Sequence, residues 1–274
     1  MRDIKELKLL ANTNRKKIIE MIYRAKAGHP GGSLSIIDIL TAIYEIDVDL
    51  TKERRSRVVL SKGHTVPAQY AILNGKGVIS DEELSTFRSV NSRLQGHPHI
   101  VDVAEVDSTT GLLGQGLSLG IGMAIAKRNN KESNRVYVVV GDGELHEGQI
   151  WEAVMQASHY KLNNLIMIID YNKLSSSGPV NEVINVDSVS DKLKVFGFNT
   201  IEIDGNNMEQ VVGALEVAME EKERPVAIVA NTIKGKGVSF MENNPKWHSG
   251  ALTDEEYQIA MKDLKNSKED RKST

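Results

Sequence analysis

Apolar residues recur at helical spacing near the start of the chain. Ile4, Leu7, Ala11, Ile18, Ile22 and Ala25 predict one amphipathic helix over residues 3–27, stopped by Gly28. A second helix is expected from residue 33 or 35 to about residue 46, and Arg57 to Leu60 reads as a short strand entering Ser61-Lys62-Gly63-His64. Ser80 and Glu83 stand at capping-box spacing for a short helix. Residues 91–114 carry no period, and so long a patternless stretch inside a compact domain is usually functional or disordered.

The second half alternates regularly. Helices are expected over residues 115–129, 147–160, 188–196 and 207–222, and strands over 135–140, 165–170, 199–203 and 226–231. The strands are continuous apolar runs, as required when both faces of a sheet are covered. The fold class is therefore α/β, a parallel sheet with helices on both faces. A last helix is opened by Thr253 and Glu256. Residues 1–265 form one expected domain, and residues 266–274, dominated by Lys, Glu, Asp, Arg and Ser, an expected disordered tail.

Composition narrows the function. The 274 residues contain no cysteine, which excludes disulfides, thiolate metal sites and a cysteine nucleophile, and which suits a cytoplasmic setting. With 34 Lys+Arg against 37 Asp+Glu there is no global basic field for nucleic acid. The charged start, Met1 to Glu6, does not read as a signal peptide, and the longest apolar runs are too short to span a bilayer.

Candidate chemistry gathers at predicted strand ends, where open parallel sheets bind ligands. One strand runs into Gly141-Asp142-Gly143 and the next into Tyr171-Asn172-Lys173-Leu174. If these strands are neighbours, Asp142 and Asn172 present oxygens to one crevice. With a loop carbonyl and phosphate oxygens they would complete a shell for magnesium or calcium. Gly-Asp-Gly alone is ordinary turn chemistry, and its pairing with Asn172 is what gives it weight. Asp170 is a rival ligand placed within the strand. Four of the 7 histidines lie in glycine-flanked or polar loops: His29, His64, His97 and His248. Together with Lys234 in Lys-Gly-Lys-Gly and with Thr110 to Gly116 before a helix, they suggest rigid loops converging on a phosphate-bearing ligand. His99, His146 and His159 lack such a setting and read as structural or surface.

In this combination the residues resemble a known family. Gly141-Asp142-Gly143 followed by Asn172 resembles the thiamine diphosphate signature, and Gly-Asp-Gly-Glu-Leu-His-Glu-Gly is similar to its transketolase form. The segments around His29, His64, His97, Gly111, Lys234 and His248 follow in family order. The resemblance implies a thiamine diphosphate-binding fold of the diphosphate-binding type. It implies that Asp142, Asn172 and the Leu174 carbonyl hold a metal, Mg2+ or another divalent cation such as Ca2+. It implies that Lys62, His64, Gly111, Leu112, Leu113, Gly143, Asn172, Lys234 and His248 contact the cofactor. His29, His97 and His248 would bind sugar hydroxyls and move protons, and Glu147 would lie at a subunit interface. Where some family members carry Ser, this chain has Gly32, with Ser33 adjacent, so no hydroxyl role is carried over.

The implied reaction is transfer of a two-carbon ketol unit from a ketose phosphate, such as xylulose 5-phosphate, to an aldose phosphate. The family's pyrimidine-binding and C-terminal domains have no counterpart among these residues. The expectation is thus a chain inactive alone, working with a separately encoded C-terminal subunit, two copies of each. The rivals are a deoxyxylulose-phosphate synthase-like half and a non-catalytic, cofactor-binding regulatory chain.

Overall fold

The computed structural model describes residues 3–266; of the expected tail only Asn266 falls among them. Helix α1 (Ile4–Ala25) starts at Asp3, whose side chain caps the first turn. It ends before Gly28, because Lys26 itself adopts the left-handed cap (φ 52°).

Helix α2 (Pro30–Ile46) begins earlier than its apolar pattern suggests. Pro30 presets the first-turn dihedral at a position that needs no amide donor, and Gly31 survives there because its surroundings forbid a side chain. A Cβ on Gly31 would lie 2.6 Å from the Trp247 carbonyl. Beyond β1 (Arg57–Leu60) comes α3 (Val66–Gly75), a buried helix that escapes a periodicity reading because it is apolar nearly all round. The expected capping box is present at α4 (Asp81–Leu84).

Next come α5 (Gln115–Asn129), β2 (Val136–Gly141), α6 (Gly148–His159) and β3 (Leu165–Tyr171). The remaining elements are α7 (Val180–Val183), α8 (Val189–Val195), β4 (Asn199–Asp204), α9 (Met208–Glu220), β5 (Val226–Asn231) and α10 (Asp254–Lys265). Helix α6 starts a residue after its expected position because the chain first makes a tight 3-10 turn, Gly143–His146.

The five strands form one all-parallel sheet in the order β1-β2-β3-β5-β4. Alternate strand residues feed two separate cores. Val58, Tyr137, Ile166 and Ile228 join α1, α2, α3 and α9 on one face, and Val59, Val138, Met167 and Val229 join α5, α6 and α8 on the other. Both faces are thus covered, which explains the unbroken apolar runs.

The patternless stretch is held by charge rather than by periodicity. Asp107 has a fully buried side chain. It accepts from Arg55 (2.9 Å), Arg57 (2.8 Å) and the Val58 amide (2.9 Å), tying the stretch to the start of β1.

Candidate functional site

Strands β2 and β3 are neighbours, paired up to Gly141 beside Asp170. Asp142 and Asn172 therefore leave the sheet side by side at its C-terminal edge. Both line a cavity of about 370 Å³, together with the Leu174 loop. Asp142 is almost wholly buried. It accepts the Gly143 amide at 2.7 Å and also the Lys173 amide, which links the two strand ends directly. Burial, reinforced by the charge of Asp170, raises its carboxyl to about 6. Asn172 Oδ1 accepts the Leu174 amide at 3.2 Å.

Four loops supply the opposite wall, and hydrogen bonds stitch three of them together. The Gly235 amide donates to Gly31 at 2.9 Å, and the Gly250 amide donates to Gly28 at 2.9 Å. The result is a packed imidazole cluster. Ring centroids of His29, His64 and His248 lie 5.0, 5.3 and 5.6 Å apart. Burial, then neighbouring positive groups, lowers all three: His29 to about 4, His248 to about 3, His64 well below 6.5. At neutral pH the rings are uncharged. Nδ1 of His29 is buried with no hydrogen-bond partner among the described residues.

Lys234 is 2% exposed. Its ammonium donates to the Leu174 carbonyl at 2.6 Å and stands 2.9 Å from Nδ1 of His248. A donating ammonium there leaves the His248 proton on Nε2. Burial, with Lys62 nearby, lowers Lys234 to about 8. His97 closes the cavity from the patternless stretch, and Gly111 crosses it: at φ 148° a Cβ would stand 3.1 Å from the imidazole.

Among the sequence candidates, His29, Lys62, His64, His97, Gly111, Leu113, Asp142, Gly143, Asn172, Leu174, Lys234 and His248 all line this one cavity. Leu112 and Glu147 do not; the Leu112 side chain is 77% exposed, and Glu147 lies exposed at the start of α6. The structure adds members that the sequence reading missed. Glu144 is buried. It accepts from Ser61, from the Gly114 amide (2.9 Å) and from the Gly141 amide (3.1 Å), so it binds the Gly111 loop to the end of β2. Its position directly after Gly-Asp-Gly was visible, but its partners, far off in sequence, were not. His146, read as structural, also lines the cavity, with Nε2 buried and unpartnered among the described residues. The Ser175-Ser176-Ser177 run after Leu174 does so too. His99 and His159 stay outside; His99 bonds Asp102 at 2.7 Å.

The family described as "Transketolase, thiamine diphosphate binding domain" matches residues 7–270. This chain belongs to that transketolase family. It is 42% identical over 266 residues to an apulose-4-phosphate transketolase subunit of Phocaeicola vulgatus, covering 95% of this chain and 94% of that one. It is 40% identical to a 6-deoxy-6-sulfo-D-fructose transketolase subunit of a Clostridium species, again nearly end to end (94% and 96%). Human transketolase is 37% identical over 91% of this chain, which spans only 40% of the human protein. The crystal structure of Campylobacter jejuni transketolase superposes with a TM-score of 0.89 at 32% identity, over 96% of this chain and 43% of that one.

The cavity's donor set fits a divalent cation together with a diphosphate. Asp142, Asn172 and the Leu174 carbonyl are hard oxygen donors, the preference of magnesium and calcium rather than of zinc. No group of three His, Cys, Asp or Glu side chains among the described residues offers a competing metal centre. The raised Asp142 carboxyl is a buried anion whose ionisation a cation would favour. Lys62 and Lys234 place two further cationic groups at the wall, suited to phosphate oxygens.

Proposed function

We propose that this chain is the diphosphate-binding subunit of a two-chain transketolase, moving a two-carbon ketol unit between sugar phosphates or similar anionic sugars. The observation that carries the proposal is the meeting, in one cavity, of the Asp142-Asn172-Leu174 oxygen set with the neutral cluster His29-His64-His248. A scaffold or regulatory chain would need the first and not the second. Xylulose 5-phosphate is the first donor to test; the substrates named for the two subunit relatives, apulose 4-phosphate and 6-deoxy-6-sulfo-D-fructose, come next.

In this reading Asp142, Asn172 and the Leu174 carbonyl hold Mg2+, while Lys62, His64, Gly143 and Lys234 receive the diphosphate. Gly111 and Leu113, both in the cavity wall, would flank the cofactor's ring. Bound thiamine diphosphate supplies an electron sink for the carbanion produced when the ketose carbon bond breaks. The chain's own part is proton handling and orientation. His29, with its buried Nδ1 unpartnered among the described residues, and His97 at the mouth would bind sugar hydroxyls; their rings stand uncharged at neutral pH, and the negative diphosphate would raise their proton affinity from these depressed values toward that of a working base. His248, its tautomer set by Lys234, presents an N–H to the same space.

The partner subunit supplies the groups that activate the pyrimidine, and exposed Glu147 lies at the junction, in an assembly of two copies of each chain working in the cytoplasm. The test is ketol transfer measured with this chain, with its partner, and with the two mixed. Activity appearing only on mixing is the expected result, and robust turnover by this chain alone would overturn the two-chain reading. Titration calorimetry adds a direct check on the metal set: Asp142→Ala should lose the metal-dependent share of cofactor binding, and unchanged binding would remove Asp142 from the site.

A further inference from the structure

Asp170 is absent from the proposed chemistry, yet it bonds two residues of the cavity wall, Lys62 and Asn172. It sits near the end of β3, 0% exposed. Donors from four segments converge on it. The Lys62 ammonium and the Thr232 hydroxyl both bond it, Ser35 Oγ lies 2.5 Å from Oδ2, and Asn172 Nδ2 donates to the same oxygen at 3.3 Å. Surrounded by donors, this carboxylate acts only as an acceptor.

We propose that Asp170 is a positioning residue that orients the Asn172 amide so that its oxygen, not its nitrogen, faces the divalent cation. The inference rests on the proposed function and deepens it. A primary amide has an acceptor end and a donor end of nearly the same shape, so packing alone does not choose between them. A cation needs the oxygen. With Nδ2 bonded to Asp170, Oδ1 takes the Leu174 amide at 3.2 Å, and Asn172 itself lines the cavity. Turning the amide over would set Oδ1 against the Asp170 carboxylate and Nδ2 against the Leu174 N–H, losing both bonds at once. The same carboxylate also binds the Lys62 ammonium.

The test is titration calorimetry of the full chain with thiamine diphosphate, once with Mg2+ and once with EDTA. The ratio of the two dissociation constants isolates the metal's share and cancels changes in how Lys62 meets phosphate. Asp170→Asn should lower that ratio by about ten- to hundredfold, the usual range for groups that orient metal ligands. In an Asn172→Asp background the same change should cost less than about threefold, because a carboxylate accepts at either oxygen and has no wrong face. Equal losses in the two backgrounds would mark Asp170 as merely structural and overturn the inference, as would an unchanged ratio in Asp170→Asn. Should Asp170→Asn fail to fold by circular dichroism, Asp170→Glu keeps the charge for Lys62 but displaces the acceptor, and the ratio must still fall. If the native chain shows no metal-dependent binding, the proposed function falls and this inference with it. If it does show such binding while the Asp170 variants keep the native ratio, only the inference falls.

Discussion

His29 illustrates how much rests on single side chains. Its ring is packed between two other imidazoles and keeps one buried nitrogen unpartnered among the described residues. Replacing it with asparagine removes the proton acceptor but leaves the metal and lysine groups in place. His29→Asn is therefore expected to lower turnover of the mixed subunits by about a hundredfold or more, with cofactor affinity changed far less; equal turnover would remove His29 from the chemistry. Gly111 makes the complementary case. At φ 148° and 3.1 Å from His97, an added methyl strains the backbone and pushes the imidazole, so Gly111→Ala should raise the sugar KM. These residues were legible because histidines between glycines and an acid followed by an amide at successive strand ends are unusual patterns. Glu144 and His146 were not, and Asp170 was read only as a rival ligand. The meaning of Glu144 and Asp170 lies in partners such as Ser61, Gly114 and Thr232, which only folding brings near, and that of His146 in the tight turn that carries it to the cavity.

Among the elements, the long apolar strands and amphipathic α1 could be read directly, since a covered parallel sheet and a one-sided helix leave different periods. Helix α3 and the first turn of α2 were hidden for a shared reason: being buried on nearly all sides, they carry no polar face to mark a period. The stretch from residue 91 to 114 follows a third logic, with order imposed by one buried charge. Asp107 satisfies two guanidinium groups and a strand amide. Asp107→Ala would strand Arg55, itself 5% exposed, so a stability loss of about 3–5 kcal/mol is expected in urea denaturation. A loss under about 1 kcal/mol, the level of an exposed pair, would show that packing and not charge holds the segment.

For the whole molecule, the site's electrostatics set a pH dependence whose sign can be worked out. His29, His64, His97 and His248 all titrate below their ordinary value of 6.5 in the folded chain, with His29 near 4 and His248 near 3. The unfolded chain thus binds protons first. Stability from these rings is whole above 6.5 and is lost as pH falls toward 4. Asp142, raised to about 6, acts oppositely: its contribution is whole below 3.8 and lost as pH rises through 6. Glu144 is raised in the same sense, also by burial, and four rings outnumber two carboxyls, so the melting temperature without cofactor should drop between pH 7 and pH 5, less steeply in His29→Asn. An identical slope in the variant would mean that His29 titrates normally.

No helix among the described residues is long and apolar enough to cross a membrane, and the molecule's chemistry is concentrated at the carboxyl edge of its sheet. Crystals grown with thiamine diphosphate and manganese, which substitutes for magnesium at oxygen sites, give the most direct view of that edge. An anomalous peak bounded by Asp142, Asn172 and the Leu174 carbonyl is the expected observation. Cofactor bound with its metal elsewhere, or bound with none, would remove the cation site on which the proposed function stands.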